Sequence, residues 1–155
     1  MSAAEGSIDA RRLGQAAHGD SLKARNTLLH AGDVLTVRIR RSDPADPSSS
    51  RLAEYRVPYQ PRMRVLDVLN HLAENDAPDL AYRWFCGSKM CGTCALRLNG
   101  REVLACWEAA LPEMTIEPLR NLPVIRDLVV DRAPFDARVA AFEPWIERAQ
   151  PYAGF

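Results

Sequence analysis

The sequence has no excess of either charge. Twenty acidic and twenty basic residues cancel over 155 positions, and that balance argues against general nucleic-acid binding, which needs a basic surface. It has no apolar run approaching a membrane span. Arg11-Arg12 is followed by no hydrophobic stretch, so neither a Sec nor a twin-arginine signal is read. A soluble, reducing, cytoplasmic setting is therefore expected. No group of nucleophile, base and orienting acid stands out, and His71 falls among polar neighbours, as a solvated helix histidine does. Cysteine is absent everywhere except between Cys86 and Cys106. The length suits one domain with a small appendage and a proper core.

What is present is concentrated in RWFCGSKMCGTCALRLNGREVLAC, residues 83–106. Cys86, Cys91, Cys94 and Cys106 are spaced C-x4-C-x2-C, then C after eleven residues. The first three match the run that holds a plant-type [2Fe–2S] cluster, in which two irons share four thiolates. Gly87 and Gly92 supply positive φ at low steric cost, and successive N–H groups in such a loop form a concavity for an anion. Ser88 and Thr93 read as hydrogen-bond donors within the loop.

Asn99-Gly100 between two apolar-patterned runs predicts a type I′ hairpin. A two-residue loop pairs Leu98 with Arg101, Arg97 with Glu102 and Leu96 with Val103. Arg97 and Glu102 then form a cross-strand charge pair, and Leu96 and Val103 share the apolar face. The same register sets Cys94 opposite Ala105 and brings Cys106 beside Cys94. Three other readings compete. A structural zinc site of four cysteines typically uses two short C-x2–4-C knuckles, of which only one half fits. A thioredoxin-like dithiol at Cys91 and Cys94 leaves the other two thiols without a role. Structural disulfides require an export route.

Around this stretch, residues 1–32 lack apolar periodicity and read as an arm, disordered or bound to a partner. Residues 34–41 alternate Leu35, Val37 and Ile39 with polar neighbours, as a half-buried strand does. Residues 42–50 read as a loop. Residues 51–57 form a second strand, with Ala53, Tyr55 and Val57 on one face. Val65, Leu66, Val68, Leu69 and Leu72 recur at helical spacing with Asp67 near the positive end, and Pro78 ends that pattern. Residues 114–117 close the set as a short strand. The order predicts an α+β layer arrangement. Five prolines punctuate the tail, leaving room for a short helix carrying Phe135, Val139 and Phe142. Those residues, with Trp145, Tyr152 and Phe155, cover the core or dock on a partner.

The four cysteines, the CGTCALRLNG run, the LAC before Trp107 and residues 123–131 (PVIRDLVVD) together resemble the iron–sulfur subunit of succinate dehydrogenase and fumarate reductase. The resemblance implies a β-grasp, 2Fe–2S ferredoxin-like domain over 33–120, an arm over 1–32 and a tail over 121–155. It implies that Cys86, Cys91, Cys94 and Cys106 are the ligands of one [2Fe–2S] cluster. The implied partner is an FAD-containing flavoprotein, with a further acceptor subunit and an association with membranes only through such partners. The chain itself would be a non-catalytic electron-transfer subunit. No cysteine follows Cys106, so the chain is not expected to complete the family's electron wire to quinone by itself. A free-standing ferredoxin and a zinc-stapled interaction module are the other two functions kept open. Lys89 puts a positive charge in the cluster loop, which favours the more negative, reduced cluster.

Overall fold

The computed structural model describes residues 29–143. Two long strands open it: β1 (Val34–Asp43) and β2 (Asp46–Pro58). Then come helix α1 (Val65–Asn75), the hairpin β3 (Ala95–Leu98) and β4 (Arg101–Leu104), and β5 (Glu113–Glu117). A two-stranded unit, β6 (Val124–Arg126) with β7 (Val129–Val130), precedes helix α2 (Ala133–Ala141).

The main sheet has five strands in the order β2-β1-β5-β3-β4. β1 runs antiparallel to β2 and parallel to β5, while β3 is antiparallel to both β5 and β4. Parallel pairing of β1 and β5 needs a crossover between them. That crossover contains α1, the cysteine-rich segment and the β3–β4 hairpin. Leu35, Val37 and Ile39 of β1, Met114 and Ile116 of β5, and Leu96 and Leu98 of β3 are buried in one core with Val65, Leu66, Val68, Leu69 and Leu72 of α1. This is the α+β, helix-over-mixed-sheet arrangement expected from the order of elements, and it agrees with the ferredoxin-like fold that the resemblance implies.

The hairpin register is the expected one: Leu98 opposes Arg101, Arg97 opposes Glu102 and Leu96 opposes Val103. Asn99 and Gly100 hold φ of 47° and 84°, the left-handed pair a type I′ turn requires. Two local expectations are corrected. Residues 42–50 are largely strand: β1 and β2 continue to Asp43 and from Asp46, leaving a tight turn at Pro44 and Ala45. Asx and serine bonds stiffen that tip, with Ala45 N donating to Asp43 Oδ1 at 2.8 Å and Ser48 N to Asp46 Oδ1 at 3.0 Å. Turn-type composition was thus overridden by strand pairing. The cross-strand pair also differs. Arg97 Nη2 lies 2.7 Å from Glu117 on β5, and Glu102 is met by Arg120 at 3.2 Å.

In α2 none of the residues is buried, and Phe135, Val139 and Phe142 are exposed. Phe142 stands clear of the core, and Phe135 and Val139 are only partly shielded. Trp145, Tyr152 and Phe155 lie outside the described residues. Among the described residues no helix is long and apolar enough to cross a membrane.

Candidate metal centre

The start of α1 is tied directly to the turn that carries Cys106. Two of the helix's initial N–H groups, which have no partner within the helix, find carbonyls there. Val65 N donates to Glu108 O and Leu66 N to Ala105 O, each at 3.0 Å. Asp67 accepts from Arg64 N at 2.7 Å. The β3–β4 hairpin meets the same turn from the other side, with Ala105 N donating to Cys94 O at 3.2 Å. Cys94 and Cys106 are thus held side by side, both buried. The distant fourth thiol arrives where the hairpin register sends it.

Cys86 and Cys91 sit half-buried in the open loop before β3. Cys86 Sγ accepts three backbone amides, from Ser88 and Met90 at 3.4 Å and Cys91 at 3.3 Å. Those donors, Ser88 first, then Cys91 and Met90, push its pKa down to about 6. Cys91 Sγ accepts from Thr93 N at 3.4 Å, and the Thr93 side chain, followed by Cys86 and the Thr93 amide, holds its pKa below the usual thiol range. Cys94 behaves oppositely, since burial pushes its thiol up. Ser88 and Thr93 are donors to sulfur, as expected. Gly87 and Gly92 have φ of 66° and 69°, the left-handed geometry that turns amides toward the thiols.

Among the described residues no three Cys, His, Asp or Glu side chains converge on a single ion-sized point. Instead the cysteines are tied in two pairs: Cys91 N donates to Cys86 Sγ at 3.3 Å, and the bond from Ala105 N to Cys94 O sets Cys106 beside Cys94. Two pairs suit a binuclear centre, each iron taking two thiolates. The amides aimed at Cys86 and Cys91 suit an anionic sulfur-rich group. The residues therefore fit the cluster.

A sequence profile described as the 2Fe-2S iron-sulfur cluster binding domain matches residues 36–137. The chain belongs to this family of 2Fe–2S cluster-binding domains. Its cofactor is accordingly a [2Fe–2S] cluster. The chain is 37% identical over 117 residues to the fumarate reductase iron–sulfur subunit of Haemophilus influenzae, spanning 73% of this chain and 45% of that protein. It is also 37% identical over 155 residues to a mitochondrial succinate dehydrogenase iron–sulfur subunit of Oryza sativa, spanning 95% and 55%. Among solved structures, a chain of the Mycobacterium smegmatis Sdh1 complex superposes with a TM-score of 0.65 at 32% identity. That match covers 78% of this chain and 50% of the other. The chain spans about half the length of the curated relatives it matches.

The rim of this 2Fe–2S domain is apolar and open. Trp84, Phe85, Met90 and Trp107 flank the cysteines and are 49%, 79%, 83% and 52% exposed. Behind the loop lies a largely apolar cavity of about 440 Å³, lined by Cys91, Cys94, Leu122, Leu128, Val130 and Phe135 among others. Lys89 is exposed with φ of 64°, and its Nζ stands 4.9 Å from the centre of the Trp107 ring. Arg64 adds a second cation at 5.7 Å and donates from Nη1 to Trp107 O at 2.7 Å. Exposed cation–π contacts contribute about 0.5–1 kcal/mol each. Sequence reasoning named Lys89, noted Trp107 only as part of the run that carries the resemblance, and missed Arg64. An indole directly after the fourth cysteine was the available signal. His71 is half-buried, near Asn75 at 3.5 Å, and takes no place in this centre.

Proposed function

We propose that this chain is an electron-transfer subunit in which Cys86, Cys91, Cys94 and Cys106 hold one [2Fe–2S] cluster. It would pass single electrons between an FAD-containing flavoprotein and a downstream acceptor. The observation that carries this reading is the pairing of the four thiols at a surface rimmed by exposed aromatic side chains. When bound, the cluster supplies one-electron redox chemistry. The chain's own residues do three things around it. The Ser88, Met90, Cys91 and Thr93 amides stabilise anionic sulfur. The hairpin and α1 fix the buried Cys94–Cys106 pair. Trp84, Phe85 and Met90 form an apolar contact surface that a partner can cover, excluding water where its cofactor approaches.

The fixed-subunit reading is favoured over a free-standing ferredoxin by the relatives' names and by the extent of that uncovered apolar surface. A shuttle that must stay soluble alone gains nothing from Phe85 and Met90 in water. In this proposal 33–120 is the cluster domain and 121–155 the tail, whose first part, Val124–Val130, lies back against the domain through buried Leu128. The setting is cytoplasmic, at a membrane only through partner subunits.

Anaerobic purification of the full chain with its native partners tests this. About two irons and two labile sulfides per chain, with a copurifying subunit that carries FAD, are expected. Stoichiometric zinc without labile sulfide would overturn the cluster assignment. A loaded chain that never associates with a flavoprotein would return it to the free ferredoxin reading.

A further inference from the structure

Trp107 directly follows Cys106, and two cations meet its ring. One is Lys89, from the loop between Cys86 and Cys91, with its ammonium 4.9 Å from the ring centre. The other is Arg64, just before α1, at 5.7 Å. Arg64 is anchored independently of the ring. Its Nη1 donates to Trp107 O at 2.7 Å and its backbone N to Asp67 at 2.7 Å. Trp107 is thus tethered through its main-chain carbonyl to the start of α1, and its ring is available to hold Lys89.

The backbone at Lys89 points the same way. Its φ of 64° lies in the left-handed region shared by Gly87 and Gly92 of the same loop. Glycine would occupy such a position without steric cost. A long cationic side chain stands there instead, and it reaches back toward the Cys106 turn. Among the described residues no carboxylate pairs with Lys89, so its charge is not neutralised locally.

We propose that Lys89, Trp107 and Arg64 form a positioning stack. It holds the Lys89 charge on the loop between Cys86 and Cys91, against the residue that follows Cys106, and so raises the reduction potential of the group the cysteines hold. Reduction adds one negative charge at the centre. A cation fixed close by stabilises the more negative state, whereas a lysine free to swing in water is solvated and screened. Neither Lys89 nor Trp107 is a ligand. Trp107 acts through Lys89 by deciding where the charge sits, and Arg64 decides where Trp107 sits. The inference rests on the proposed cysteine ligation, and its test separates the two.

Potentiometric titration of the full chain, followed by its paramagnetic signal, is run on the wild type, K89Q, K89R, W107F, W107L and K89Q/W107L. Iron and labile sulfide are measured in each. K89Q should keep full iron and lower the equilibrium constant for reduction about three- to tenfold, tenfold being about 59 mV for a one-electron couple. W107L should shift it the same way by a smaller factor. K89R and W107F, which keep the charge and the ring face, should stay at the wild-type value. The double variant should fall no lower than K89Q, since the two residues act as one unit. Full iron with an unchanged potential in K89Q would overturn the proposal. So would a W107L shift that persists undiminished in the K89Q background, because Trp107 would then act through solvent access. A wild-type chain without iron and labile sulfide would instead remove the cysteine assignment. Should W107L lose its iron, K89Q decides alone.

Discussion

Asp127 and Ser42 are bonded to each other twice across 85 residues of sequence. Asp127 Oδ1 accepts from Ser42 N at 2.9 Å, and Asp127 N donates to Ser42 Oγ at 2.8 Å. The other carboxylate oxygen accepts from Ala81 N at 2.9 Å. Arg41 Nε lies 3.1 Å from Oδ1 but off the N–H axis, so that contact is an ion pair and not a hydrogen bond. Asp127 is 1% exposed. Three segments meet at this one acid: the end of β1, the approach to the cysteine loop, and the β6–β7 unit. Burial works against the Arg41 charge, yet Asp127 and Tyr55 outweigh it and hold its pKa above the ordinary arginine value.

Asp127→Ala should therefore be among the most damaging single changes outside the apolar core. It leaves two half-buried amides without acceptors and a guanidinium with only Asp79 to balance it, at 2.7 Å. The expected loss is about 3–5 kcal/mol, read as a lowered urea midpoint. Asp127→Asn keeps an acceptor and should cost less. Equal midpoints for Asp127→Ala and the wild type would mean that the junction carries no stability.

Glu117 predicts an acid-side slope in stability. Burial raises its pKa, but Arg97 and Arg40, at 2.7 and 3.1 Å, outweigh that and hold it below the ordinary glutamate value. A depressed carboxylate contributes fully above its unfolded value and loses that contribution as pH falls through the folded value. Stability should thus decline as pH drops below about 4.3. Glu117→Gln should remove part of that decline while costing about 1 kcal/mol at neutral pH. Chemical unfolding at several pH values measures both.

Cys86, Cys91, Cys94 and Cys106 changed singly to Ala should each abolish stoichiometric cluster content, since metal binding and local folding are coupled. His71→Ala should leave iron and sulfide unchanged. A dispensable cysteine beside a required His71 would reopen a mixed-ligand centre.

Phe142 is 84% exposed at the end of α2. Phe142→Ser should move the thermal transition little, within about 0.5 kcal/mol of stability. If α2 meets a partner, the same change should weaken copurification with it. A large loss of intrinsic stability would show that this face is covered within the chain.

Much of this domain was written in short-range pattern. The Asn99-Gly100 turn dictated its register because a two-residue loop leaves one choice of facing residues, and that register carried Cys106 to Cys94. Alternation in β1 and the 3.6-residue spacing in α1 named the buried faces because burial follows the period of each element. The cysteine spacing named the cofactor. Tertiary structure decided the rest, for one physical reason: an exposed or polar side chain has many energetically similar partners, and only packing selects among them. Arg97 faces Glu102 by register yet pairs with Glu117, because β5 brings a carboxylate closer and more buried. Residues 42–50 look like loop until β1 and β2 lie side by side and supply their hydrogen bonds. Nothing near Asp127 in sequence announces Ser42, and nothing near Lys89 announces Trp107. The first contact exists only once the β6–β7 unit has folded back onto the end of β1, and the second only once the crossover from β1 to β5 has brought the cysteine loop, the start of α1 and the turn after β4 together.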